Sequence, residues 1–436
     1  MNETPSMETI VNLAKRRGFI FAGSEIYGGL ANSWDYGPLG VELKNNIKQA
    51  WWKKFVRGRQ DVVGIDAAVI MNPKVWEASG HVATFHDPLV ECSNCHGRFR
   101  ADHIDTAKPC PTCGQKATFT QPQQFNLMFK THLGPSEATA NEVYLRPETA
   151  QAMFVDFPQV LASTRKKLPF GIAQIGRAFR NEITPGNFIF RTREFEQMEI
   201  EYFVKESDWE KQFDTWLTLM HDWIAECGID EAKVHDLEIP EEDRAHYSSR
   251  TTDIEFDFPF GRGELYGIAY RSDFDLKSHA ASSGKELSYL DPETNEKFVP
   301  HVIEPTFGVD RTVLAVLASA YREEEVKGEK RVVLAFPAHL APYQVAVLPL
   351  MKKPELTDVA KAIVGELSGY MSVEYDETQS IGKRYRRQDE IGTPYCITVD
   401  YDSLEDKTVT VRDRDSMTQE RIAIEKLTEY LNGKIK

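Results

Sequence analysis

Residues 169–203 read PFGIAQIGRAFRNEITPGNFIFRTREFEQMEIEYF, and the alternation in this stretch decides the fold. Side chains on a strand point to opposite faces with a period of two. A first strand is predicted over residues 171–182, with Arg180 and Glu182 on one face. Thr184, Pro185, Gly186 and Asn187 form a cluster of chain breakers that turns the backbone. The second strand then presents Arg191, Arg193, Phe195, Gln197, Glu199 and Glu201 on one face, and Met198, Ile200 and Tyr202 on the other. The product is an antiparallel hairpin with one core face and one face of arginines, an aromatic ring and carboxylates. A solvated sheet with cross-strand ion pairs would use the same residue types. Against that stands the chemistry of the set. An arginine fork matches phosphate oxygens, a ring gives a base a platform, and glutamates hold a metal or an ammonium group.

Composition bounds the rest. The chain has 436 residues, enough for two or three domains, with 41% hydrophobic and 27% charged residues, as in a soluble globular protein. No apolar run approaches the ~20 residues that span a bilayer. The stretch MNETPSMETI has neither a charged nor an apolar signal region, which predicts a cytoplasmic protein. The net charge of −15 excludes broad, non-specific nucleic-acid binding and predicts local basic patches, at Arg165–Lys167 and at Lys383–Arg387. Each is also readable as a solvated charge cluster.

Of six cysteines, four form two CxxC units, Cys92 with Cys95 and Cys110 with Cys113, separated by 14 residues. That spacing predicts a zinc ribbon with four thiolates in a closed, structural site. His86, His96 and His103 nearby read as surface residues. Elsewhere, residues 7–17 and 41–55 carry helical periodicity, with a strand expected over 62–71. Glycines in GSEIYGGLANSWDYGPLG, residues 23–40, suggest a loop that approaches a ligand. Residues 209–227 form an amphipathic helix ended by Gly228. The charged run at 323–331 reads as a domain boundary, and the remainder alternates strand and helix, ending in a helix over 422–431.

FRNE (179–182) followed by RTREFEQME (191–199) resembles motif 2 of the class II aminoacyl-tRNA synthetases, and the wording is closest to the dimeric glycyl type. RPETAQ (146–151) resembles the glycyl family closely, GEL (263–265) matches an ATP-site element, and HVIEPTFGVDRTVLAVL (301–317) resembles motif 3. The 41–55 helix with its following strand resembles motif 1, the dimer interface in that family, and Trp51 and Trp52 read as its contacts. The resemblance runs from about Gly23 to the C-terminus.

It implies an α+β fold: a class II antiparallel sheet flanked by helices over residues 1–330, with a zinc-ribbon insertion at 88–118 and a helical insertion at 206–250. A C-terminal α/β anticodon-binding domain over 335–436 follows. The implied activity is ATP-dependent attachment of glycine to tRNA(Gly) through glycyl-adenylate, by a homodimer using ATP, Mg2+ and structural Zn2+. In the family's scheme Arg180 and Arg311 are catalytic. Phe195 and Arg311 sandwich adenine. Asn181, Glu182, Phe190, Arg191, Thr192, Arg193 and Glu194 hold base and phosphates. Glu264 lies where magnesium binds, next to Leu265, and Gly308, Val309 and Asp310 complete the ATP site. The glycine pocket takes Arg100, Glu148, Phe195, Glu196, Gln197, Met198 and Glu199 with Glu304, Pro305, Thr306, Phe307 and Gly308. Thr306 departs from the family's usual serine, keeping the hydroxyl and adding a methyl. Two other readings stay open. One is another class IIa synthetase, prolyl or threonyl; RPETAQ and the pocket carboxylates disfavour it. The other is a non-catalytic nucleic-acid-binding relative, which the retained Arg180, Arg193 and Arg311 disfavour.

Overall fold

A computed structural model describes residues 5–435 except 103, 117 and 136–141, so His103 lies outside the described residues. Helix α1 (Met7–Arg17) opens on Ser6, whose hydroxyl accepts the Thr9 N–H, and stops at Gly18 in the left-handed region. Helix α2 (Pro38–Trp52) starts on a proline, whose missing N–H is not needed there, and runs into a π-turn at Lys53–Arg57. A Cβ on Gly40 would sit 1.8 Å from the Phe19 carbonyl oxygen. This glycine lets α2 cross the chain that leaves α1; the expected close approach is to backbone and not to a ligand. Strand β1 (Val62–Gly64) covers only the start of the expected 62–71 strand. Beyond it the Ala67 N–H bonds the Gln174 side chain instead of the ladder.

Three short strands, β2 (His86–Glu91), β3 (Arg98–Arg100) and β4 (Gln123–Asn126), form the small sheet that carries the cysteines. Helices α3 (Ala150–Val155) and α4 (Phe157–Thr164) lead into the hairpin of β5 (Phe170–Phe179) and β6 (Glu194–Val204). Strand β5 ends at Phe179, short of the expected Glu182. Arg180 keeps one backbone bond to Arg193 at 3.0 Å and then leaves the ladder. A Gly186–Arg191 bridge closes the turn, with Asn187 and Phe188 at φ 55° and 61°.

Helix α5 (Trp209–Glu226) and strand β7 (Val234–Glu238) follow, then β8 (Arg250–Phe258), β9 (Gly261–Ser272), α6 (Phe274–Ser283), β10 (His301–Gly308) and α7 (Val309–Ala320). The seven-stranded sheet has the order β7-β8-β9-β10-β6-β5-β1, antiparallel except for β1 beside β5. Residues 206–250, expected as a helical insertion, hold helix α5 and also strand β7. Trp216, Met220 and Trp223 of α5 lie in the main core, and β7 is the sheet's edge strand.

One sheet face packs on α2, α5 and α7 through Trp51, Phe55, Trp216, Phe307 and Val313. The other is covered over part of its length by α3, α4 and α6, where Phe154, Phe157, Phe170, Phe203 and Leu276 cluster. The uncovered part of that face carries the site. Of the two tryptophans expected at a subunit interface, Trp51 is buried within the chain itself and Trp52 is half-buried. Trp51 is 0% exposed, 5.8 Å from the Phe307 ring, and Trp52 lies so close over Gly64 that a Cβ there would be 2.2 Å from its ring.

The charged run at 323–331 is a hairpin rather than a linker, β11 (Tyr321–Val326) and β12 (Glu329–Leu334), turned by Lys327 and Gly328 at positive φ. Then come β13 (Val345–Pro349), α8 (Pro354–Leu367), β14 (Val373–Tyr375), α9 (Ile381–Ile391), β15 (Tyr395–Val399), β16 (Thr408–Asp413), β17 (Gln419–Ala423) and α10 (Leu427–Lys434). These make a five-stranded sheet, β14-β13-β15-β16-β17. Ile422 lies in β17, pairing with Val409, so the last helix starts later than expected. Of the Lys383–Arg387 patch, Arg384 is 2% exposed and donates to the carbonyls of Pro349, Leu350 and Asp376. Arg387 pairs with Asp376 at 2.8 Å. Two of the patch's arginines thus hold the domain together.

Candidate active site

The open part of the sheet floors a cavity of about 580 Å³. Period-two geometry places Phe195, Gln197 and Glu199 of β6 and Glu304 and Thr306 of β10 on its side. Arg100, Glu148, Arg180, Glu182, Phe190, Arg191, Thr192, Glu196, Glu264, Leu265, Gly308, Asp310 and Arg311 also line it.

Seven of the sequence-derived residues stand elsewhere. Met198, Pro305, Phe307 and Val309 point to the opposite face or sit in the core, as strand alternation requires. The Asn181 N–H bonds Leu127, Arg193 reaches Ala31, and exposed Glu194 pairs with Arg177. Two residues that do line the cavity are already neutralised. Glu196 pairs with Lys44 at 2.7 Å and Lys48 at 3.1 Å, while Asp310 accepts from Tyr36 at 2.5 Å and Lys44 at 3.0 Å. These bonds tie β6 and α7 to α2.

Two arginine–ring pairs face the cavity. The Arg180 guanidinium lies 5.3 Å from the Phe195 ring and donates through Nε to Pro147. Arg311 lies 4.5 Å from Phe190 and pairs with Glu264 at 2.9 Å. Arg311 thus stands over Phe190, and Phe195, expected on the other face of adenine, lines the same cavity. Beside Glu264 is Asp253, pushed up to about 7 by burial and by the Glu264 carboxylate. Arg100 is held at the rim by Asp87 and Asp102 at 3.0 and 2.7 Å.

The carboxylates form a buried network. Glu148, 7% exposed, accepts from Gln151 at 2.9 Å and faces His81 at 3.3 Å. Burial works to raise Glu148, but His81, Arg271 and Gln151 hold it well below the usual range. Glu199 accepts from Thr149, from Gln197 at 3.2 Å and from Thr306 at 3.0 Å. Arg271, fully buried on β9, gives one nitrogen to Glu304 at 2.8 Å and two to Asp275. Its guanidinium lies 3.7 Å from the Tyr247 ring. Burial pushes Glu304 up to about 8 despite that partner. Sequence reasoning missed Arg271, His81, Tyr247 and Asp253. The signal for Arg271 was present in RSDFD, where Arg271 and Asp275 stand four apart.

Outside the cavity, the four cysteines meet. Cys92 lies 3.7 Å from Cys113 and Cys95 lies 3.7 Å from Cys110, sulfur to sulfur. Thiolates around a tetrahedral zinc at ~2.3 Å would be ~3.8 Å apart, and a disulfide would bring two of them to ~2.0 Å. The Thr118 hydroxyl and backbone N–H groups lower Cys92 to about 6. The cluster is compatible with zinc. His96 pairs with Glu91 and is exposed, and His86 contacts Asn126.

Residues 113–320 match the model of the tRNA synthetase class II core domain (G, H, P, S and T), and residues 344–434 match an anticodon binding domain. The chain is 54% identical to a glycine–tRNA ligase of Bacillus cereus, covering 99% of each chain. It is also 54% identical to one of Clostridium acetobutylicum, covering 100% of each. A glycine–tRNA ligase of Geobacillus thermodenitrificans is 55% identical, with 99% of this chain and 98% of that one covered. Among solved structures, prolyl-tRNA synthetase from Cryptosporidium parvum, complexed with L-proline and AMP, shares the fold with a TM-score of 0.67 at 15% identity, covering 100% of this chain and 77% of that one. By full-length identity above one half, the chain belongs to the glycine–tRNA ligase family, built on the class II synthetase core.

Proposed function

We propose that this protein joins glycine to ATP as glycyl-adenylate and transfers the glycyl group to tRNA(Gly). The observation that carries the reading is one cavity in which Glu148, Glu199 and Glu304 stand with Arg180 and Arg311. Glycine offers only an ammonium and a carboxylate. Anionic walls suit the ammonium, and crowding against larger side chains is the better filter, because a methylene in an apolar pocket discriminates by only ~1–3 kcal/mol.

In the first step a glycine carboxylate oxygen bonds the α-phosphorus, the bond to the bridging oxygen breaks, and pyrophosphate leaves. Charge grows on phosphate oxygens, so Arg180 and Arg311 act as fixed donors, with no protein nucleophile required. Glu264, with Asp253 beside it, would hold Mg2+, which offsets phosphate charge. In the second step a ribose hydroxyl of tRNA attacks the adenylate carbonyl and AMP leaves. Zinc on Cys92, Cys95, Cys110 and Cys113 would be structural, since four thiolates leave no open position. Residues 1–330 carry the chemistry, and residues 335–436 hold the anticodon arm. We place the protein in the cytoplasm as a homodimer. A loop with Ile26, Tyr27 and Leu30 at 89%, 86% and 68% exposure supports an apolar subunit contact better than the buried Trp51 does. Sedimentation of a fully active monomer at micromolar concentration would exclude the dimer.

ATP–pyrophosphate exchange with each amino acid in turn tests the function. Glycine alone should support exchange. Exchange with proline or threonine instead would replace the glycine reading, and exchange with none would leave the non-catalytic one.

A further inference from the structure

Beneath the cavity floor one carboxyl group lacks any partner. Glu201 stands two residues beyond Glu199 on the same face of β6, where the sheet passes under α3 and α6. It is 0% exposed, and neither carboxyl oxygen finds a hydrogen-bond partner among the described residues. It does not line the cavity, yet one oxygen from each of Glu199, Glu201 and Glu304 lies within 4.8 Å of the others.

Among the described residues no cation bonds Glu201, although the Arg271 charge acts on it. Arg271 spends its guanidinium on Glu304 and Asp275, while His81 faces Glu148 and His279 bonds Gln151 at 2.8 Å. Glu199 already has Thr149, Gln197 and Thr306. Arg146, also buried, acts on Glu199 by charge but spends its donors on Ala67, Gln174 and Arg177, so Glu148, Glu199, Glu201, Glu304 and Asp275 surround a single directly bonded arginine, Arg271. A carboxylate that cannot be paired out of water takes up a proton instead.

We propose that Glu201 is a protonated acid at neutral pH, and that it acts as a positioning residue by offering its hydrogen to the Glu199–Glu304 pair that grips the substrate ammonium. The proposal rests on the glycine reading of the cavity. Burial pushes both Glu201 and Glu304 up and the Arg271 charge works against this at both, but Arg271 bonds Glu304 directly and not Glu201, so the shared proton resides on Glu201. The proton does two things. It puts a donor behind oxygens that must stay still, and it removes one negative charge, so the site suits a monovalent ammonium better than a divalent metal.

The test uses the full-length protein with Glu201→Gln, which keeps a neutral donor, and Glu201→Leu, which keeps the volume without one. Loss of one hydrogen bond in Glu201→Leu should raise KM for glycine about tenfold, with KM for ATP and kcat little changed, while Glu201→Gln restores the wild-type KM. Infrared spectra at neutral pH should contain a protonated-carboxyl band that Glu201→Gln removes; this arm decides the matter if the leucine variant does not fold. A rise in KM for Glu201→Gln equal to that for Glu201→Leu, or no such band, overturns the proposal. So does one equivalent of Mn2+ bound without ATP and lost in Glu201→Gln, since it would mean an ionised cation site. A wild-type protein that activates no glycine would sink the functional reading instead, while the infrared band still reports on Glu201.

Discussion

Arg180 and Glu148 both line the cavity, and the proposed function gives the first to chemistry and the second to selection. Arg180 is placed by a backbone carbonyl and two rings, those of Phe85 and Phe195, so its position does not depend on a carboxylate partner. Arg180→Ala should lower kcat for adenylate formation by roughly 10²–10³, and Arg180→Lys should not restore it, because the fork is lost. Single-turnover adenylate formation measures this. On the proposed reading Glu148 faces the glycine ammonium, whose charge does not change during the reaction. Glu148→Gln should therefore raise KM for glycine and leave KM for ATP little altered; an equal rise in both would remove Glu148 from the amino-acid pocket. Asp253 supplies a pH signature. Its carboxyl, raised to about 7 in the fold from 3.8, binds more protons folded than unfolded between those values. Stability from this group is therefore lost as pH rises through that window. Thermal melts without ligands from pH 5 to 8.5 should show that loss in the wild type and a flatter profile in Asp253→Asn.

At the scale of elements, the zinc ribbon and the hairpin depend on different physics. The small β2–β4 sheet has little apolar content, and its cysteines are brought together by two turns, so zinc on the four thiolates, as proposed, would link metal binding to folding. Cys92→Ser should lose zinc by metal analysis and lose amide protection over residues 86–126. Because Arg100 reaches the cavity rim from β3, the same variant should weaken substrate binding without changing residues in the sheet. Retention of full metal content and protection would show that the ribbon folds without the fourth thiolate. The β5–β6 hairpin, by contrast, is held by the sheet on both sides. Its Gly176 exists for one neighbour: a Cβ there would lie 2.2 Å from an Arg146 nitrogen, and Arg146 in turn bonds Ala67 and Arg177 carbonyls.

At the scale of the whole molecule, the two sheets are joined by buried charge as well as apolar surface. Arg331 on β12 and Asp389 on α9 are 1% and 0% exposed and bond at 2.8 Å; Asp389 also takes Arg412 at 2.9 Å. Leu334, Phe336, Leu340 and Ile391 belong to the same core as α2 and α7. Removing one partner of a buried ion group leaves the others uncompensated, at a cost of about 3–5 kcal/mol. Asp389→Ala should lower the melting temperature and split a single transition into two. An unchanged, single transition would show that the apolar contacts alone couple the halves.

Local periodicity and residue spacing were enough to read the hairpin, α1, the four-cysteine cluster and most strands of the C-terminal sheet, while the motif arginines came from the resemblance to class II synthetases. Those features depend on neighbours within a few residues, or on ligand spacing along the chain. Burial is set by segments far apart in sequence, and there the tertiary structure decided. Trp51 looked like a surface anchor until α5 and β10 covered it. Arg384 looked like a phosphate contact until three carbonyls took its donors. Phe307 sat inside a matching motif but on the core side of the sheet, where strand alternation had already put Met198. Glu201 read as one carboxylate among several on a strand face, and its isolation arises only where α3 and α6 close over β6. Sequence carried the residue types and their order; which of them meet water, a substrate or each other was decided by which surfaces the packed sheet leaves open.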